Sequence, residues 1–133
     1  MILSRAAVLV LLCLPLGCAA LSEKGKMEEF GRAMDSYDTA MVISDFNSVC
    51  KQVDPIVMGR EQCRQRYENV KIVSYDVLAV NVANDKRQVN QAVEIQFFFL
   101  DRYVLKKMQF DQSWHYDESL KRWLLKTEPP QFK

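Results

Sequence analysis

A chain of 133 residues with 49% hydrophobic and 26% charged side chains has the makings of one globular domain rather than two. Its 18 Lys and Arg against 17 Asp and Glu leave a formal charge of +1. That balance excludes a disordered charged tail and supplies no large field for holding nucleic acid.

Met1 to Arg5 is short with one positive charge, and Ala6 to Leu14 runs without a polar group, which is the anatomy of a signal peptide. Pro15 and Gly17 interrupt any helix before the roughly 20 residues that a bilayer requires. The segment closes on Leu14-Pro15-Leu16-Gly17-Cys18. This resembles the lipobox of bacterial lipoproteins, departing from it at Pro15, where Leu is usual; Leu14 stands one step further out. The resemblance implies removal of residues 1–17 and acylation of Cys18, and more than one acyl chain anchors a protein stably. Ala19 resembles the outer-membrane sorting position of such proteins, so the expected place is the cell envelope, lipid-anchored and facing the periplasm. Cleavage after Ala20, giving a soluble periplasmic or secreted protein, is the alternative.

Loss of residues 1–17 takes Arg5 away and brings acidic and basic side chains into balance. Cys13 goes with the leader and Cys18 is lipidated or removed. Cys50 and Cys63 are then expected to form a disulfide in an oxidising compartment, two buried free thiols being the alternative. Residues 18–26 read as a lipidated tether, polar from Ser22 to Lys26, of which seven or so extended residues reach about 25 Å.

From Met27 the apolar residues Met27, Phe30, Met34, Tyr37 and Met41 recur at helical spacing, with Glu28, Glu29, Arg32, Asp35 and Ser36 between them. This predicts an amphipathic helix ending around Ser44 to Asn47. Asp54-Pro55 offers an N-cap and a first-turn proline, so a second helix is expected from Pro55 to about Tyr67, with Cys63 and Tyr67 inward. The period then changes. Val70 to Ala83 is β-branched, Asn84 to Lys86 turns, and Val89, Val93, Ile95, Phe97 and Phe99 alternate along a second strand. In a third strand Val104, Met108, Phe110, Trp114 and Tyr116 share one face, opposite Lys107, Gln109, Asp111, Ser113 and His115. Asp117 to Ser119 turns into a last strand, Arg122 to Thr127, stopped by Pro129-Pro130.

The expected fold class is therefore α+β, with N-terminal helices packed on a curved antiparallel sheet of about four strands. The long helix with Tyr37, the strand series and Trp114-His115-Tyr116 followed by Lys121 to Leu125 resemble the nuclear-transport-factor-2-like superfamily, whose fold is a cystatin-like cone. The resemblance covers most of residues 27–132, a single domain at 27–133. It departs from the family at residues 46–54, too few for the usual small strand pair.

Relatives of this fold include isomerases and cyclases with acid and base groups inside the cone, so the same role is sought here. Tyr37 and Tyr75 could donate to a ligand carbonyl, and Tyr37, Met41, Tyr75, Phe97, Phe110 and Trp114 are the candidate pocket residues. His115, the sole histidine, is expected to face solvent with Asp111 and Ser113; about 13 Å along a strand separates it from Asp111, too far for a dyad. One His and two paired Cys give no zinc ligand set, and four glycines supply no phosphate loop, so neither metal nor cofactor is expected. Arg60, Arg64 and Arg66, interleaved with Glu61 and Glu68, read as a solvated, ion-paired helix face. Phe97-Phe98-Phe99-Leu100 puts aromatics on both faces of its strand, so a homodimer through the sheet face is a further expectation. The leading expectation is a non-catalytic module, anchored to the membrane through its lipid, that binds a small apolar ligand or another envelope protein. The alternative is a small isomerase or cyclase using a tyrosine and an inward carboxylate.

Overall fold

The computed structural model describes residues 18–133, with side chains from residue 23 onward. The expected signal segment and the Cys18 side chain lie outside the described residues. Three helices, α1 (Cys18–Val42), α2 (Phe46–Lys51) and α3 (Arg60–Arg66), precede four strands, β1 (Val70–Val82), β2 (Gln88–Phe99), β3 (Arg102–Asp117) and β4 (Arg122–Leu125). The strands pair in sequence order as an open antiparallel sheet, and the helices pack against it, so the α+β class is as expected. Among the described residues no helix is long and apolar enough to cross a membrane.

The expected apolar stripe of α1 is the one it lays on the sheet. Phe30, Tyr37 and Met41 are buried and Met27 and Met34 half-buried, while Glu28, Glu29, Arg32, Asp35 and Ser36 face solvent. The helix is longer than its stripe. Residues 18–26, expected as an extended tether, form its first turns. Glu23, Lys24 and Lys26 are good helix formers, and one glycine costs only about 1 kcal/mol. The turn at Lys26 is also docked: its carbonyl accepts from Trp123 Nε1 at 2.8 Å and its ammonium lies 3.1 Å from Glu118. Nine helical residues rise about 13 Å, half the reach of an extended tether.

The second expected helix is shorter and displaced. Asp54 does not cap a helix at Pro55; its carboxylate accepts from Ile56 N at 2.8 Å and pairs with Lys126, and α3 begins only at Arg60. Residues 46–51, expected as a loop, form α2, whose N-cap Asp45 accepts from Ser48 N. Cys63 and Tyr67 face inward as expected. Cys50 and Cys63 are disulfide-bonded, with Cα atoms 5.8 Å apart, and the bridge ties α2 to α3.

Asp54 fixes the chain between these short helices to β4. Its N–H donates to Leu125 O at 2.9 Å, and Val53 bridges Leu125. The Lys126 ammonium and then the Ile56 N–H hold its carboxyl below the ordinary carboxylate range. An acid depressed in this way stabilises the fold above its unfolded pKa of about 3.9 and ceases to do so as pH falls through the folded value. Asp54→Asn is therefore expected to lower stability by about 1–2 kcal/mol at pH 7, the exposed flank of Lys126 limiting the effect. The gap in urea midpoint between the two proteins should close as the pH falls through the lowered folded-state value. A gap independent of pH would assign the loss to something other than the carboxylate.

Candidate functional site

The sheet has two unlike faces. Inward along β2 stand Val89, Gln91, Val93, Ile95 and Phe97, and inward along β3 Met108, Phe110, Gln112, Trp114 and Tyr116; Asn90, Ala92, Glu94, Asp111, Ser113 and His115 take the opposite parity. The candidate residues meet on the inner side, under α1. Trp114 has no exposed surface, and it packs edge-on against Tyr37 at 5.1 Å and Phe30 at 6.5 Å; Tyr37 also meets Tyr75 at 5.6 Å. Met41 and Phe97 are buried in the same cluster, with Phe110 half-buried beside it.

These residues fill the interior. None of the six lines the depression that crosses β1, β2 and β3. Interlocked rings close the space that a ligand would need, because aromatic side chains carry the volume of the core and settle into edge-to-face contacts.

The polar groups of this interior are largely spent on one another. Gln91 and Gln112 sit directly opposite on β2 and β3 and are both buried. Gln112 Nε2 donates to Tyr75 Oη at 2.6 Å and to Gln91 Oε1 at 2.9 Å, and Trp114 Nε1 donates to the same Gln91 oxygen at 3.0 Å. Burial pushes the Tyr37, Tyr67 and Tyr75 phenols well above their usual range, so all three stay protonated. The buried Tyr67 hydroxyl lies by the Tyr37 phenol, short of a well-formed hydrogen bond. Asp38 is the one acid that acts on Tyr75. Its carboxyl is raised by partial burial first, then by Asp76 and Asp35, but it stands exposed on α1.

A depression of about 590 Å³ is open to solvent and crosses β1, β2 and β3. Most of its lining is of the outward parity, Ala79, Asn81, Asn90, Ala92, Asp111 and Ser113, with Thr127 at one side, while Val80, Gln91 and Gln112 reach it from the inward parity. Two facing alanines make it deep: Ala79 pairs with Ala92, so two neighbouring strands carry only methyl groups there, and Asp111 stands opposite Ala92 on the third. Thr127 Oγ1 accepts from Ser113 N at 2.9 Å. His115 lies next along the same side, half-buried, with Nε2 3.2 Å from Ser113 Oγ. Burial, followed by Lys126, lowers its pKa. Its outward placement beside Asp111 and Ser113 is the expected one.

Arg64 pairs with Glu61 and donates to Asn47, and Arg66 reaches Glu128 at 3.3 Å and the Pro129 carbonyl at 3.0 Å. Those two arginines are thus engaged within the fold. Among the described residues no group of three or more His, Cys, Asp and Glu could hold a metal ion. Together these features define a small α+β protein with a solid interior and an open depression on the outer sheet face. No protein-family model matches the chain, and no curated protein matches it significantly.

Proposed function

We propose that this chain is an exported, lipid-anchored module that binds an envelope protein without turning it over, on a nuclear-transport-factor-2-like, cone-shaped arrangement of helices and sheet. What supports the reading is where the free space lies. The side under α1 is packed with Tyr37, Met41, Phe97 and Trp114, whereas the outward face carries an open trough in which two alanines are rimmed by amides, hydroxyls and one carboxylate.

An isomerase or cyclase needs a base beside its acid, within reach of an enclosed substrate. Asp38 is the acid available to Tyr75, but it is exposed, and the Tyr75 hydroxyl, which accepts from Gln112, is buried within the packed core. A small apolar ligand buries most of its surface when bound, which an open trough does not provide. A polypeptide can cover such a surface, because protein interfaces have polar, wet margins. Acylation at Cys18 would place the anchor at the start of α1, about 13 Å of helix from Lys26.

A photo-crosslinking residue at position 92, in the native cell, is expected to capture one envelope protein as a discrete band. That band should vanish with Asn90→Arg and be absent when the crosslinker replaces Glu28. The Cys18→Ser chain should leave the membrane fraction, lighter by a lipid. Equal capture from both positions would remove the binding face, and identical masses would remove the anchor.

A further inference from the structure

At the β2–β3 turn the two strands fall out of step. Phe97 pairs with Lys106 and Phe99 with Arg102, so the single residue Phe98 opposes three, Tyr103, Val104 and Leu105. The surplus is extruded as a bulge. Tyr103 is 83%, Val104 62% and Leu105 59% exposed, and Leu100 beside them is 51% exposed. Bulges commonly re-aim side chains at functional positions, and this one drives an apolar triplet into solvent.

The triplet is bounded by positive charge. A second depression, of about 350 Å³, lies at the same hairpin tip on the side of Phe97 and Phe99, and is lined by Asn69, Phe99, Asp101, Arg102, Lys106 and Lys133. Among the described residues, Arg102, Lys106 and Lys133 make no ion pair; Lys107 is the one cation here that does, with Glu94 at 3.7 Å. Lys106 Nζ lies 5.4 Å over the Phe99 ring, which holds its charge at the mouth of the depression. Arg102, Lys106 and Lys133 thus share the depression with Asp101, at the same tip as the aliphatic and phenolic side chains.

We propose that this tip is a docking site for an anionic lipid surface: Tyr103, Val104 and Leu105 enter the headgroup layer while Arg102, Lys106 and Lys133 hold lipid phosphates. The combination selects the partner. Cations alone would suit any phosphate, but exposed Val and Leu gain only where hydrocarbon receives them, and Tyr favours the boundary between the two. The site is independent of any anchor at Cys18. Lys26 meets Glu118 at the β3–β4 turn and Lys71 donates to Val42 O near the opposite end, so the start of α1 and the tip lie at opposite ends of β3.

The test uses the full chain carrying Tyr103→Trp, with vesicles of phosphatidylglycerol or of phosphatidylcholine. Both native tryptophans are buried, so a change reports position 103. The expected result is a shift of emission to shorter wavelength and quenching by brominated lipid on the anionic vesicles only. Adding Arg102→Gln and Lys106→Gln should lower vesicle affinity by about 30-fold, at about a factor of five per cation. Three results would overturn the proposal. They are no quenching on anionic vesicles that the chain demonstrably coats, a shift produced by inorganic phosphate alone, and a shift that grows with protein concentration without lipid. The last would assign the tip to a second copy of the chain.

Discussion

Replacing Trp114 by alanine is expected to cost about 3–5 kcal/mol, a third or more of the stability of an ordinary small domain. Trp114 touches α1 through Phe30 and Tyr37, and its indole N–H donates to Gln91. The substitution therefore removes the largest side chain at the helix–sheet contact and one partner of a buried polar cluster. Surrounding strands cannot collapse into the gap, because β2 and β3 are held in register on either side of it. Urea denaturation followed by far-ultraviolet dichroism would measure the loss. The result bears on function as well as stability. A cost below about 1 kcal/mol would mean that the inner side is loosely filled, and the enclosed-ligand reading would regain the space it needs.

The elements readable from sequence were those that repeat one period over many residues. The α1 stripe and the alternation along β2 and β3 each involve five or more apolar side chains, enough for burial to decide the face each strand or helix presents. Residues 44–67 were not readable in the same way. Asp54-Pro55 carries a helix-start signal, yet Asp54 is drawn to Lys126, 72 positions later, and no local pattern encodes that attraction. Asp45 caps α2 with an equally ordinary signal inside a cluster of polar residues that reads as a loop. The tether failed for a related reason: Lys26 is docked by Glu118 and Trp123, both distant in sequence.

The candidate site divides in the same way. Aromatic residues were correctly placed inward, but inwardness was equated with lining a pocket, and their volumes instead fill the core. Gln91 and Gln112 carried a signal that went unused: each stands at the inward parity of an otherwise apolar series. A polar residue in such a place must find a partner across the strand pair, and they find each other. The trough was less accessible, since it depends on Ala79 and Ala92 meeting in register. Bulges at Ile72/Ser74 and Val77/Ala79 reset the faces of β1 before that pairing, and simple alternation cannot follow them. The extruded Tyr103 to Leu105 is a third slip of register, and it too breaks the period-two pattern.

Opening the Cys50–Cys63 bond is expected to destabilise the fold by about 3 kcal/mol, from the chain-entropy cost of a loop with the sequence separation of 13 that it closes. For a domain of this size that lowers the melting temperature by roughly 15 °C. The dependence follows from how short the bridged elements are. Helices α2 and α3 have six and seven residues, well under the about 12 that an isolated helix needs in water, so they persist only where tertiary contacts hold them. Phe46 stacked on Tyr67 at 4.6 Å, Tyr67 against Phe132, and the Asp54–Lys126 pair supply part of that hold, and the disulfide supplies the rest. Reduction should therefore loosen residues 45–67 first. Hydrogen exchange across that segment should accelerate before the sheet responds, and the Cys50→Ala/Cys63→Ala protein should melt at the reduced temperature and ignore added reductant. If instead the reduced protein melts with the oxidised one, the helical layer stands without its bridge.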